Sequence, residues 1–353
     1  MALLCACAAP SPSAPRAVVT SNANANANAT TNAMATPTPT PTPTPTATVT
    51  PAANANASPP PFGSEEADQV LFPDASTDAA SRAACLHDLP EPDRIACLLR
   101  ARYRGDSPAA ELAVAMHAQS GNLAGVQPER MFDGGYRGIL KFVPSLPVGA
   151  ARPHLAWVAA AFRDYEMLFD GLAAAARDGV HREPSYRWRA LGVRFFRSVN
   201  ARTPSAFAQG WTIGYNLGGS LNVSEEWVRE TLFHELFHLN DEFHADWSKT
   251  ALQPIRESVM AKCKNATPCL TPYAPSPTIV RGSTYYAFHP PNPVAEYGGE
   301  LALRYYREHR AILRKEPLGA APFKCGPPEN ARAWELLVKE FFAGIDLVPP
   351  CAK

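Results

Sequence analysis

Two histidines separated by three residues can meet one metal ion only if the backbone between them is an α-helix, because residues four apart share a helical face. The chain carries this arrangement as His234-Glu235-x-x-His238, within the stretch TLFHELFHLNDEFH at residues 231–244. The intervening glutamate adds chemistry to the geometry. Its carboxylate can take a proton from a water that the ion has made acidic, to a pKa near roughly 7. The implied reaction is hydrolysis of a carbonyl compound, most often a peptide bond. Local sequence agrees with a helix: Asn222 or Ser224 can cap it, and Glu225 and Glu226 suit its positive N-terminus. Trp227, Leu232, Phe233, Leu236, Phe237 and Leu239 supply its apolar faces.

A catalytic zinc site takes three protein ligands and leaves one position for water. Two candidates compete for the third place. Glu296 begins a later helical segment with Glu300 one turn on, and His244 lies six residues beyond His238. The pair HELFH followed by AEYGGELALRYY resembles the gluzincin arrangement of zinc peptidases, in which a glutamate on a downstream helix completes the site. It is especially similar to the EFFAE-type pattern of lethal-factor-like bacterial peptidases. That resemblance covers roughly the last third of the chain. It implies a zincin-like fold, Zn2+ held by His234, His238 and Glu296, and Glu300 orienting a ligand histidine through its other ring nitrogen. It further implies Tyr286 as the residue that stabilises the oxyanion, with Tyr285 or His289 next in line. The rival resemblance is to metzincins, whose spacing would make His244 the third ligand. Those proteins turn the chain with a glycine where this one has Asp241, and Ser258-Val259-Met260 would stand for their methionine turn.

The chain of 353 residues has a formal net charge of zero and no basic cluster interleaved with aromatics, so composition offers no footprint for nucleic acid. No apolar run approaches the roughly 20 residues of a membrane-spanning helix. Near the start, Leu4-Cys5-Ala6-Cys7 resembles the lipobox of bacterial lipoprotein signals, although no positive segment precedes it. It implies an extracytoplasmic protein, lipid-anchored at Cys7 or secreted; the alternative is an unstructured N-terminus. Residues 1–61 continue as Asn-Ala and Thr-Pro repeats, too poor in large apolar side chains to offset their ordering entropy. Their Thr-Pro portion favours extended polyproline II, a spacer. Six further cysteines form an even set without a C-x-x-C pair, as in disulfide frameworks. Pairing of sequence neighbours would join Cys85 to Cys97, Cys263 to Cys269 and Cys325 to Cys351.

Folded sequence is expected from residue 62, with a helical part over 62–185 and the catalytic part over 186–353, packed as one domain in a monomer. Helices are expected over residues 78–87, 93–103, 108–119, 154–177, 254–262, 292–308 and 330–342, and strands over 137–143, 186–199 and 211–223. The last of these contains Leu217-Gly218-Gly219, which suits either an edge strand that pairs with an extended substrate or a hairpin tip. The fold class is α+β, mainly helical, with a small mixed or antiparallel sheet beside the metal-binding helix. The leading expectation is a zinc-dependent metallopeptidase acting on proteins or peptides, with Glu235 as base. A cell-surface binding protein that keeps the fold without turnover is the alternative.

Overall fold

The computed structural model describes residues 17–18, 62–74, 78–133, 138–175, 183–280 and 282–352. Residues Ala17–Val18 (β1) come first, followed by helices Ser64–Leu71 (α1), Ala79–Ala83 (α2), Glu91–Arg102 (α3) and Ser107–Ser120 (α4). Strands Leu123–Val126 (β2), Arg130–Asp133 (β3) and Ile139–Pro144 (β4) lead into the long helix Arg152–Ala175 (α5). Three strands follow, Gly192–Ser198 (β5), Ala206–Gln209 (β6) and Thr212–Asn216 (β7), and then Glu225–Phe243 (α6). The chain ends through Trp247–Ala251 (α7), Gln253–Cys263 (α8), Thr267–Leu270 (α9), Ile279–Val280 (β8), Val294–Leu313 (α10) and Pro328–Phe341 (α11). The architecture is α+β and mainly helical, as composition and periodicity lead one to expect.

Six strands make one mixed sheet in the order β3-β4-β5-β7-β6, with β2 also on β5. The strand β5 is its centre: β7 runs parallel along one side, while β2 (parallel) and β4 (antiparallel) share the other. Successive side chains on a strand point to opposite faces, so Val193, Phe195, Ile213 and Tyr215 enter the large core. The helices α5 and α6 cover that face, and His154 Nδ1 of α5 lies 2.9 Å from the Tyr215 hydroxyl. The opposite face holds a second, smaller cluster of Leu140, Phe142, Phe196 and Phe207.

The large core runs without interruption from Ala67 to Val348. Where α5, α6 and α10 meet, buried Asp164 gathers charge partners from both neighbours: Tyr306 and Arg314 donate to it, Arg310 Nε donates at 2.7 Å, and Arg229 Nε lies at 3.6 Å. Three disulfides, Cys85–Cys97, Cys263–Cys269 and Cys325–Cys351, follow the neighbour pairing expected from sequence and are compatible with an extracytoplasmic location.

Several boundaries differ from expectation, each for a local reason. The strand expected over 186–199 begins only at Gly192, because Tyr186 and Arg187 are used to hold α6: the Tyr186 hydroxyl donates to Phe233 O at 3.1 Å, and Arg187 N donates to Asn240 Oδ1 at 2.7 Å. The segment 211–223 is not an edge strand. β7 lies between β5 and β6, and the chain turns at Leu217-Gly218-Gly219. A Cβ on Gly219 would meet Ser205 Cα at 2.9 Å, so the close approach that glycine permits is taken by this chain's own backbone. The edge strand beyond β7 is β6, a four-residue element too short for its alternation to register. The helix expected over 78–87 shrinks to α2, and α1, β2 and β3 had no recognised signal. Arg137, Arg177, Cys7 and the Asn-Ala and Thr-Pro repeats lie outside the described residues, although β1 pairs in parallel with β8.

Candidate metal centre

The helix α6 starts where Ser224 caps it, its Oγ accepting from Trp227 N–H at 3.3 Å. Asn222, the other capping candidate, is buried two residues earlier and donates from Nδ2 to Ser205 O and Asn216 O, both at 2.8 Å. The helix then carries His234, Glu235 and His238 past the start of α10, where Glu296 occupies the first turn. What lets the two helices approach is the pair Gly298-Gly299. A Cβ on Gly299 would stand 2.6 Å from the His234 ring, and one on Gly298 would stand 2.4 Å from the Phe237 ring. Neither glycine was given a role on sequence grounds. The available signal was two helix-weakening residues inside an otherwise helical pattern, which calls for a packing reason.

His234, His238 and Glu296 each turn one ligand atom toward a common point, and these atoms lie within 4.8 Å of one another. His234 Nε2 is 3.0 Å from His238 Nε2 and 3.0 Å from Glu296 Oε2, and His238 Nε2 is 3.5 Å from the same carboxylate oxygen. A tetrahedral ion with bonds of about 2.0–2.1 Å has ligand atoms roughly 3.3 Å apart along each edge. The three separations bracket that value, so the donors fit one small cation. Glu300 stands on the outer side of His234, with Oε1 3.5 Å from Nδ1, the position from which a carboxylate fixes the ring's orientation.

Burial and charge set the protonation states. Burial opposes ionisation of Glu296, but electrostatic attraction toward His238 and hydrogen bonding with both imidazoles outweigh it and hold the carboxyl below the ordinary range. For Glu300, burial likewise opposes ionisation, and hydrogen bonding with His234 tips the balance to the charged form. His234 is pulled down by burial and more strongly up by Glu296 and Glu300, for a net rise. Glu235 behaves differently. Burial drives its carboxyl above the usual value, the two histidines offset only part of this, and Oε2 has no hydrogen-bond partner. A buried carboxylate with one unpaired oxygen beside a cation site is suited to exchange a proton.

Tyr286 is buried, with its ring centred 6.1 Å from that of His234. Its backbone is pinned on both sides: its N–H donates to Thr278 O at 2.8 Å and its carbonyl accepts from Asn292 Nδ2 at 3.0 Å. Arg256, unremarked in the sequence, braces the same loop by donating to Ala287 O, His289 O and Asn292 O at 3.0–3.2 Å. Tyr285, the next candidate, uses its hydroxyl on Thr271 Oγ1 at 3.1 Å.

His244 is not part of the metal-binding group. It caps the C-terminus of α6, with Nδ1 2.6 Å from Glu340 Oε1 and its ring 4.8 Å from that of Phe341. Asp241 makes no turn, because α6 continues to Phe243; its carboxylate accepts from the amide and hydroxyl of Ser248 at 2.7 and 2.6 Å. Residues 258–260 lie inside α8 rather than in a turn. Comparison with models of known protein families, with curated proteins and with solved structures finds no match.

Proposed function

We propose that the chain is a zinc-dependent metallopeptidase of the gluzincin kind, hydrolysing peptide bonds in a protein or peptide substrate. The observation that carries this reading is the near-tetrahedral triangle of His234, His238 and Glu296, with Glu235 buried beside it and one carboxylate oxygen unpaired. Zinc, when bound, would acidify a water molecule and polarise the scissile carbonyl. Glu235 would accept the proton of the attacking water and return it to the leaving amine. Tyr286 would donate to the oxygen that becomes negative in the transition state, and Glu300 would keep the His234 ring turned toward the ion. The disulfides support export, and the Cys7 lipobox resemblance supports anchoring of a monomer at the cell envelope.

The burial of His234 and Glu296, with His238 only partly accessible, favours a second reading, a binding protein in which the metal only stabilises the fold. The substitution Glu235→Gln separates the two. The variant is expected to retain stoichiometric zinc by elemental analysis and to lose cleavage of an unfolded protein substrate by a factor of at least about a hundred. Hydrolysis that persists in the variant rules out Glu235 as base, and wild-type protein with zinc but no hydrolysis favours the second reading.

A further inference from the structure

On the face of the sheet turned away from α6, two arginines border one aromatic cluster with no counter-ion among the described residues. Arg194 of β5, Gly214 of β7 and Phe207 of β6 form one cross-strand row. Gly214 leaves the Phe207 ring free to lie flat toward Arg194, since a Cβ there would stand 2.2 Å from the ring. Arg130, the first residue of β3, reaches the Phe207 ring as well. Its guanidinium carbon is 4.8 Å from the Phe207 centroid, 5.6 Å from that of Phe132 and 5.7 Å from that of Phe142.

Ring faces offset part of a guanidinium's charge. They accept N–H groups only weakly compared with an oxygen. The Nε–H of Arg130 and that of Arg194 are both buried with no acceptor, and among the described residues no carboxylate lies within ion-pair distance of either. Burial pushes both guanidiniums below the ordinary arginine range, and the charge of Arg130 adds to the effect on Arg194. Two like charges, partly removed from water and each with an unanswered donor, are held together against their repulsion. A planar five-donor fork is matched by carboxylate and phosphate oxygens.

We propose that Arg130 and Arg194, with the Phe132, Phe142 and Phe207 rings as the wall, form a binding site for the oxyanion of a small ligand, a carboxylate or a phosphate. The site is independent of the metal centre, which lies on the α6 side of the sheet.

The test titrates the intact protein with inorganic phosphate and, separately, with benzoate, against chloride at matched ionic strength, reading heat of binding and melting temperature. At least one of the two anions is expected to bind and raise the melting temperature, and the stronger one identifies the source of the oxyanion. Arg130→Gln and Arg194→Gln should each weaken that binding by about tenfold or more, the equivalent of one charge-assisted hydrogen bond. Without the anion these variants should melt no lower than the wild type, because a like charge has been removed. Arg194→Lys, which keeps the charge and loses the fork, gives the same weakening in a chain that retains its packing. The proposal is overturned if neither anion acts beyond chloride, or if the effect persists in the variants, as binding at the metal group would.

Discussion

His309 shows how much a single buried side chain can be made to report. It is fully buried in α10, with Nδ1 2.9 Å from Tyr305 O and Nε2 accepting from Leu347 N–H at 3.1 Å. That bond requires the neutral ring, and burial pushes the imidazole down to about 4. The unfolded chain has its histidine near about 6.5 and so binds more protons between the two values, which makes stability rise with pH across that window. Urea unfolding of the wild type should therefore lose about 1.4 kcal/mol per pH unit more than His309→Gln as pH falls from 6.5 toward 4, with no such difference above 7. Equal slopes in the two proteins would mean that the ring is charged in the fold. The glutamate between the two histidines belongs to the same scale. Glu235 and Glu296 are both buried, yet their carboxyls shift in opposite directions, Glu296 downward because two imidazoles touch it and Glu235 upward because burial outweighs the attraction of the histidines and one of its oxygens has no partner.

At the scale of elements, the site depends on how closely α10 crosses α6. An alanine in place of a helical glycine ordinarily stabilises by about 1 kcal/mol. At Gly299 the opposite is expected, since the new methyl would occupy the space of the His234 ring. Gly299→Ala should weaken zinc about 10- to 100-fold in a chelator competition, comparable to the loss of a residue that supports a metal ligand, and should lower stability by about 1–3 kcal/mol. Unchanged zinc affinity would show that the crossing distance is not what aligns the ligands. The long amphipathic elements, α5, α6, α10 and α11, were legible because many turns repeat the same apolar stripe. The short ones, α1, β2 and β6, were not, because four to eight residues leave too few repeats for a period to emerge and their pairing is decided by distant partners.

For the molecule as a whole, covalent ties matter most where the chain ends. The bond Cys325–Cys351 closes the C-terminal segment onto the region before α11, where Lys324 Nζ donates to Asp346 Oδ2 at 2.7 Å and Trp334 Nε1 to the same atom at 3.0 Å. With its cysteines 26 positions apart, it should contribute about 3.5 kcal/mol by restricting the unfolded chain. Paired replacement of both cysteines by serine should lower the urea midpoint accordingly, and an unchanged midpoint would place the stability of this tail in its packing alone.

The amino-acid sequence by itself determined the helix that carries His234, Glu235 and His238, because that arrangement is written in local spacing along one turn, and it offered the neighbour pairing of the cysteines that the fold adopts. It left Glu296 and His244 as rivals, since their distance from His234 depends on how remote segments pack. Only the tertiary structure chose between them: two glycines let α10 settle onto α6 with its glutamate against the imidazoles, while Glu340 draws His244 to the far end of the helix.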